Sequence, residues 1–431
     1  MNPSYFITTL GCPKNQADSR EMERSLRKRG LIPCDSAEKA DYHIINTCSF
    51  IEPAREETIQ TALEAAEIKT SNPRQKLILS GCFSERYPDE IKKDLPEVDF
   101  IFGTGNFDRA GEIIEEQFRL KPETGYGTPS LKDKQQHYAP LKISEGCNRS
   151  CTFCSIPQFR GKFRNLEKNK ILAEASLLAK EGVKELEIVS QDTVSFGNDP
   201  DDLLDLLEEI QQIQGIEWIR LLYLYPDRKT EKILEGIKKR KLPTLVPYFE
   251  CPIQHASDRI LRSMKRAGSA SFYSRLFSLA RSVSQDLEIR TSFILGFPGE
   301  TEEDVEKIIE FIQSHRIEKV SLFRFFPEEN TAAALLKDMV PEETVLERMN
   351  EVRRIYLDLL REIHRERMGK VYKCIVDSID GSSILARRPQ DAPEIDESVI
   401  LPFREGIGVG DIIPVKITGY NEYDMTGIME C

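Results

Sequence analysis

The chain has 431 residues and a formal charge of −12, with 60 Lys and Arg against 72 Asp and Glu. That balance argues against a general grip on nucleic acid, though not against a local one. No apolar run reaches the length of a bilayer span, and no basic region followed by an apolar core opens the chain. Ten cysteines in so long a chain are too sparse for a disulfide scaffold, so a reducing compartment, the cytoplasm, is expected.

The length suits two or three domains. Residues 1–118 alternate short apolar runs with amphipathic stretches. Strands are expected at Ser4 to Leu10, Tyr42 to Asn46, Lys76 to Ser80 and Asp99 to Phe102, and a helix at Ala17 to Arg29. This βα pattern implies a small, mainly parallel sheet. Cys12, Cys48 and Cys82 each fall one or two residues beyond a strand, at spacings of 36 and 34. The carboxyl ends of parallel strands share one edge, so three convergent thiolates and three separate core cysteines are both compatible with the pattern. Residues 119–136, rich in Lys, Gly, Pro and Gln, read as a linker or an ordered excursion.

Residues 137–368 repeat the βα unit on a larger scale. Strands are expected at Ala139 to Ser144, Glu185 to Ser190, Trp218 to Tyr223, Leu245 to Glu250, Ile289 to Leu295 and Lys319 to Phe325. Six such units make an open partial (βα)6 barrel, whose active groups belong on the loops beyond the strands. A helix at Glu302 to His315 is expected to carry a capping box from Thr301 and Asp304. Pro341 introduces a long charged helix to Arg367. Residues 369–431 change to short β runs broken by Gly, Pro and acid, as in a small antiparallel barrel. The expected fold is therefore α/β, with an N-terminal βα domain, the partial barrel and a small C-terminal β-barrel.

One loop beyond a barrel strand holds Cys147, Cys151 and Cys154 in a Cys-x3-Cys-x2-Cys run. Three close thiolates without a fourth suit a four-iron cluster with one iron open to a small molecule. A zinc site or a group of buried thiols is the alternative, but structural zinc normally takes four ligands. Phe153 either covers such a cluster or is a core aromatic. Gly296 and Gly299 lie in a turn after a strand and before a helix, where backbone can approach a ligand. Gln191 and Asp192 bind a ligand or cap a turn. Arg290 and Arg324, in apolar strands, need a carboxylate from a ligand or from the protein. Cys251 reads as a packed thiol, and His255 as either a cavity or a turn residue.

The run from Glu145 to Cys154 resembles the radical S-adenosylmethionine (SAM) superfamily. Gly11 to Ser19, Asn46-Thr47-Cys48, Gly81-Cys82 and Gly296 to Thr301 resemble the motifs of its methylthiotransferase family, and the tail resembles a TRAM domain. The resemblance runs essentially from end to end. It implies two [4Fe-4S] clusters, one on Cys147, Cys151 and Cys154 that cleaves SAM. The other, on Cys12, Cys48 and Cys82, handles the sulfur to be transferred. It also implies a SAM site for which Phe153, Gln191, Asp192, Arg290, Gly296, Gly299 and Arg324 are the candidates.

Gly11-Cys12-Pro13-Lys14-Asn15 and Ser190 to Thr193 resemble the branch that modifies an aspartate of ribosomal protein S12. A tRNA 2-methylthioadenosine synthase is the near alternative, and a non-catalytic iron–sulfur RNA-binding protein the distant one. The expected partners are S12, free or in the ribosome, a low-potential electron donor and a sulfur donor, with a monomeric enzyme and no membrane. The tail carries 6 Lys and Arg against 11 Asp and Glu. Asp391, Glu394, Asp396 and Glu397 are therefore expected to attract basic S12 through exposed charge.

Overall fold

The computed structural model describes residues 2–120 and 136–430; the expected linker at 119–136 falls almost wholly outside them. The N-terminal sheet is formed by β1 (Ser4–Thr9), β2 (Ile32–Pro33), β3 (Tyr42–Thr47), β4 (Lys76–Gly81) and β5 (Phe100–Phe102). Their order is β2-β1-β3-β4-β5, and every pairing is parallel. β3 is buried along its whole length, as expected of a central strand covered on both faces.

The central domain contains β6 (Tyr138–Lys142), the short β7 (Ser144–Glu145) and its antiparallel partner β8 (Arg164–Asn165), then β9 (Glu185–Val189), β10 (Trp218–Leu221), β11 (Tyr248–Glu250), β12 (Glu288–Leu295) and β13 (Lys319–Arg324). The six expected barrel strands fall into two parallel sheets, β6-β9-β10 and β11-β12-β13. A single bridge, Ile219 to Leu245, joins them. The halves meet at this seam, and because β6 and β13 are not paired among the described residues the barrel is open. Leu186 and Ile188 face the main apolar core, while Glu185 and Glu187 alternate to the other side. The Thr301–Asp304 capping box is present, and the long helix runs from Glu342 to Arg367.

The C-terminal domain is a closed barrel of β14 (Val371–Ile379), β15 (Ser383–Arg387), β16 (Val399–Pro402), β17 (Ile412–Tyr420) and β18 (Met425–Met429). The short β runs expected here include the four- and five-residue strands β16 and β18, which lie between glycine- and acid-rich loops. Closure leaves no free sheet edge.

The acidic segment of this barrel behaves differently from the expectation. Asp391 and Glu397 are buried, and together with Glu288 they meet Lys319, Arg367 and Arg388. Three carboxylates face three cations, so the group is an ion-pair lattice between domains. Asp396 pairs with Arg290 and accepts from Tyr248 Oη at 2.9 Å. Only Glu394 is exposed, and it is held by Tyr138 Oη at 2.6 Å and Gln16 Nε2 at 3.1 Å. The four acids are therefore not a free patch for steering S12. Asp391, Asp396 and Glu397 serve as internal counterions, because the arginines of the barrel wall need partners once the C-terminal domain covers them.

Removing one member of such a lattice leaves a buried charge uncompensated. Lys319→Met is expected to cost about 3–5 kcal/mol. Trp218, the sole tryptophan, packs with Ile375 and Ala392 across the same interface. Urea unfolding followed by its fluorescence measures the loss; an unchanged transition would show that the lattice contributes little.

Candidate functional site

Cys12 occupies the cap position of the helix Pro13–Lys28, Cys48 follows β3, and Cys82 opens the helix Cys82–Arg86. All three stand at the carboxyl edge of the N-terminal sheet. Gly11 is required there: a Cβ on it would sit 2.9 Å from Cys48 Sγ, and its φ is +88°. Asn15 braces the Cys12 and Cys48 loops, donating from Nδ2 to Leu10 O at 2.7 Å and Thr47 O at 3.2 Å. Burial pushes the Cys82 thiol up to about 12; Arg160 opposes this, while Cys48 and Cys12 add to it. Burial, with a smaller contribution from Cys12, also raises Cys48.

The second cysteine loop begins after β7. Gly146 has φ +76°, and a Cβ on it would meet Lys162 O at 2.3 Å, so the loop folds tightly back on residues 160–162. Cys147 N donates to Gly161 O at 3.1 Å, and Arg149 N donates to Cys147 Sγ at 3.4 Å. Burial pushes Cys147 to about 11 and Cys154 to about 12, with the neighbouring Cys151 adding to both. Two arginines stack against Tyr225, Arg149 at 3.9 Å and Arg266 at 4.1 Å from the ring centre. Arg266 Nη1 donates to Cys151 Sγ at 3.4 Å, and Arg149 binds Asp192 at 2.6 Å and Asp227 at 2.7 Å.

The donors suit a soft metal cluster: each loop presents three thiols beside arginine N–H groups and no competing carboxylate ligand. Among the described residues, the only tight trio of ligand atoms, within 4.8 Å of one another, is Glu288, Asp391 and Glu397, and cations already neutralise it. Neither cysteine trio draws its sulfurs into so tight a group.

The two loops meet through buried charge. Lys14 Nζ lies 2.6 Å from Glu145 Oε1. Lys142 reaches Asp18 at 2.7 Å, and Arg160 reaches Asp18 at 2.6 Å. Burial works to raise Asp18, but Lys14, Lys142 and Arg160 together hold it well below the usual carboxylate range. Arg86 and Arg55 add a second tie to Glu328, at 2.9 and 2.5 Å.

The remaining candidates separate. Phe153 joins Phe297, from the glycine turn, in one apolar cluster with Ile294 and Phe325. Gln191 donates to Glu145 Oε1 at 3.1 Å, and its own Oε1 is buried without a partner. Asp192 is taken up by Arg149 and Ser195. Gly296 donates to Glu300 and closes against Val345, while Gly299 N donates to Asp338 O. Arg290 pairs with Asp396, and Arg324 with Glu342 on the surface, so both have a protein carboxylate. Cys251 is packed in the core, and His255 Nδ1 accepts from Ala256 N and Ser257 N. Sequence reading missed Tyr225, Arg160 and Arg266. None carries a spacing signal, because each reaches its cysteine loop from a distant segment or across a domain boundary.

Comparison with known proteins agrees with this organisation. Residues 4–103 match the Uncharacterized protein family UPF0004, 141–312 the Radical SAM superfamily and 368–429 the TRAM domain. The chain is 46% identical to the ribosomal protein uS12 methylthiotransferase RimO of Leptospira biflexa, over 98% of this chain and 96% of that one. It is 36% identical to that of Clostridium tetani, over 99% and 98%.

The chain belongs to the RimO methylthiotransferase family.

It is thus a radical SAM enzyme of the methylthiotransferase class. Among solved structures, TsrM of Kitasatospora setae superposes with a TM-score of 0.57 at 12% identity, covering 78% of this chain and 77% of that one. The radical enzyme OxsB gives 0.54 at 12%, covering 82% and 56%. At that identity the likeness is one of fold.

The thiols differ in access. Cys12 is exposed, whereas Cys48 and Cys82 are buried with raised pKa values. In metal-free protein at pH 7, iodoacetamide is expected to alkylate Cys12 well before Cys48 and Cys82, since thiolate and access both govern the rate. Peptide mass spectrometry reads the order. Equal rates would mean that the N-terminal edge is open.

Proposed function

We propose that this protein transfers a methylthio group to the β-carbon of an aspartate in ribosomal protein S12, using two [4Fe-4S] clusters and SAM. The end-to-end likeness to the uS12 enzymes carries this reading, and the match of both cysteine sets to soft-metal chemistry supports it. Cys147, Cys151 and Cys154 hold one cluster, and Cys12, Cys48 and Cys82 the other. When bound, these clusters supply a low-potential electron for SAM cleavage and a site for the transferred sulfur. An aspartate β C–H has no acidic proton for a side-chain base to remove, which is why a radical is needed.

The protein's own part is binding, orientation and exclusion of water. Raised thiol pKa values keep Cys48, Cys82, Cys147 and Cys154 protonated, so loading iron releases protons from them. Arg149 and Arg266 hold positive charge beside the Cys147 loop, and Tyr225 fixes their planes. Phe153 and Phe297 form an apolar wall on one side of that loop, and Gly296 and Gly299 shape the turn that carries Phe297. Gln191, with an unpartnered buried oxygen beside Glu145, is the best placed polar contact for SAM. Asp192 orients Arg149. Arg290 and Arg324, already paired, contribute through structure. No described helix is long and apolar enough to cross a membrane.

Anaerobic reconstitution is expected to load about eight irons per chain, and replacing Cys147, Cys151 and Cys154 together by Ala to leave about four. That variant should lose 5′-deoxyadenosine formation. Replacing Cys12, Cys48 and Cys82 should abolish methylthio transfer while leaving some SAM cleavage. Mass spectrometry of S12 peptides, with prenylated tRNA assayed in parallel, tests the substrate. Product on tRNA alone would select the tRNA enzyme, and no reductant-dependent 5′-deoxyadenosine would leave a non-catalytic iron–sulfur protein.

A further inference from the structure

Arg160 stands six residues beyond Cys154, at the end of the short helix Ile156–Arg160 of the central domain. Its side chain leaves that domain. Nε donates to Cys82 Sγ at 3.2 Å, Nη1 to Asp18 Oδ2 at 2.6 Å and Nη2 to Asn15 Oδ1 at 2.6 Å. The residue is 4% exposed. All three nitrogens of one guanidinium are thus spent on the N-terminal cysteine edge. Asn15 braces the Cys12 and Cys48 loops, and Asp18 lies on the Cys12 helix, so a single planar fork touches the supports of the whole edge. Lysine cannot reproduce this, since it is a point charge without a fixed fork.

The anchorage of Arg160 is equally specific. Gly161 O accepts from Cys147 N, and Lys162 O lies where a side chain at Gly146 would be. Phe159 O accepts from Thr104 Oγ1 of the N-terminal domain at 2.7 Å. The backbone that carries Arg160 is therefore fixed by the Cys147 loop on one side and by the other domain on the opposite side. The two cysteine sets differ in this respect. The arginine at Cys151 is Arg266 of the same domain, whereas the arginine at Cys82 is supplied by the neighbouring domain.

We propose that Arg160 tunes the N-terminal cluster from the radical SAM domain, its Nε–H···S bond and charge raising that cluster's reduction potential. The proposal rests on the reading that Cys12, Cys48 and Cys82 hold a cluster. A positive charge and an N–H donor on a ligand sulfur favour the more electron-rich reduced state, and burial at this site weakens screening. Arg160 is a positioning residue: it acts on the sulfur ligand and touches no substrate.

The test uses the full-length chain with Cys147, Cys151 and Cys154 replaced by Ala, so that only the N-terminal cluster remains. The parent, R160K and R160Q are reconstituted anaerobically, their iron is counted, and their midpoint potentials are read by titration with electron paramagnetic resonance. The potential is expected to fall from Arg to Lys and further to Gln, with iron retained. In the complementary background, Cys12, Cys48 and Cys82 replaced by Ala, R160Q should leave the midpoint of the other cluster unchanged. Coincident midpoints in the first background would make Arg160 a structural clamp and overturn the proposal. So would iron loss from both variants, or an equal shift in the second background. A parent chain that binds no iron would instead sink the cluster reading itself.

Discussion

The buried charge junction between the two cysteine loops is the constraint on which the rest of the site depends. Lys14, Lys142 and Arg160 face Asp18 and Glu145, with Glu21 at the margin. Each of these groups lost water on folding, and that cost is offset only while every partner is in place. Burial and the nearby Arg160 lower Lys14, even though two carboxylates oppose them, so its charge depends on Glu145 and Asp18 staying ionised. A junction of this kind tolerates little sliding. A shift of one domain would leave several charges without partners at once, whereas an apolar interface could repack.

The same logic governs the C-terminal barrel. A TRAM-like module on a flexible tether would present its acids to solvent. Here Glu288, Asp391 and Glu397 are locked against Lys319, Arg367 and Arg388, and Arg387 reaches buried Glu185. The module is therefore docked on the barrel wall as a fixed part of the enzyme. Its outward surface includes Val371, Phe403, Tyr423 and Ile428, all substantially exposed. Net charge by itself misled, because a count of −5 does not distinguish acids that face water from acids that neutralise a neighbour.

Much of the architecture was legible along the chain. The βα periodicity placed the principal strands of the first two domains, with their ends shifting by a residue or a few, because local apolar patterning and burial on both faces coincide there; the two-residue β2, β7 and β8 left no such pattern. The seam between β10 and β11 was not legible, since pairing across it depends on how the two half-barrels twist. The strands of the C-terminal barrel were legible as a class and not one by one, because a strand of four or five residues is stabilised by barrel closure more than by its own composition.

The Cys147, Cys151 and Cys154 spacing by itself pointed to iron–sulfur chemistry, whereas the strand-end positions of Cys12, Cys48 and Cys82 left shared and separate thiols equally open until the family resemblance was added. The choice of partner for each arginine was decided by tertiary structure alone. Sequence reading could say that Arg290 and Arg324 require carboxylates, but Asp396 and Glu342 are 106 and 18 residues away and become neighbours only on folding. Arg160 is the extreme case. Nothing in its local segment marks it, and its role exists only because two domains close on each other around a charge that neither could bury alone.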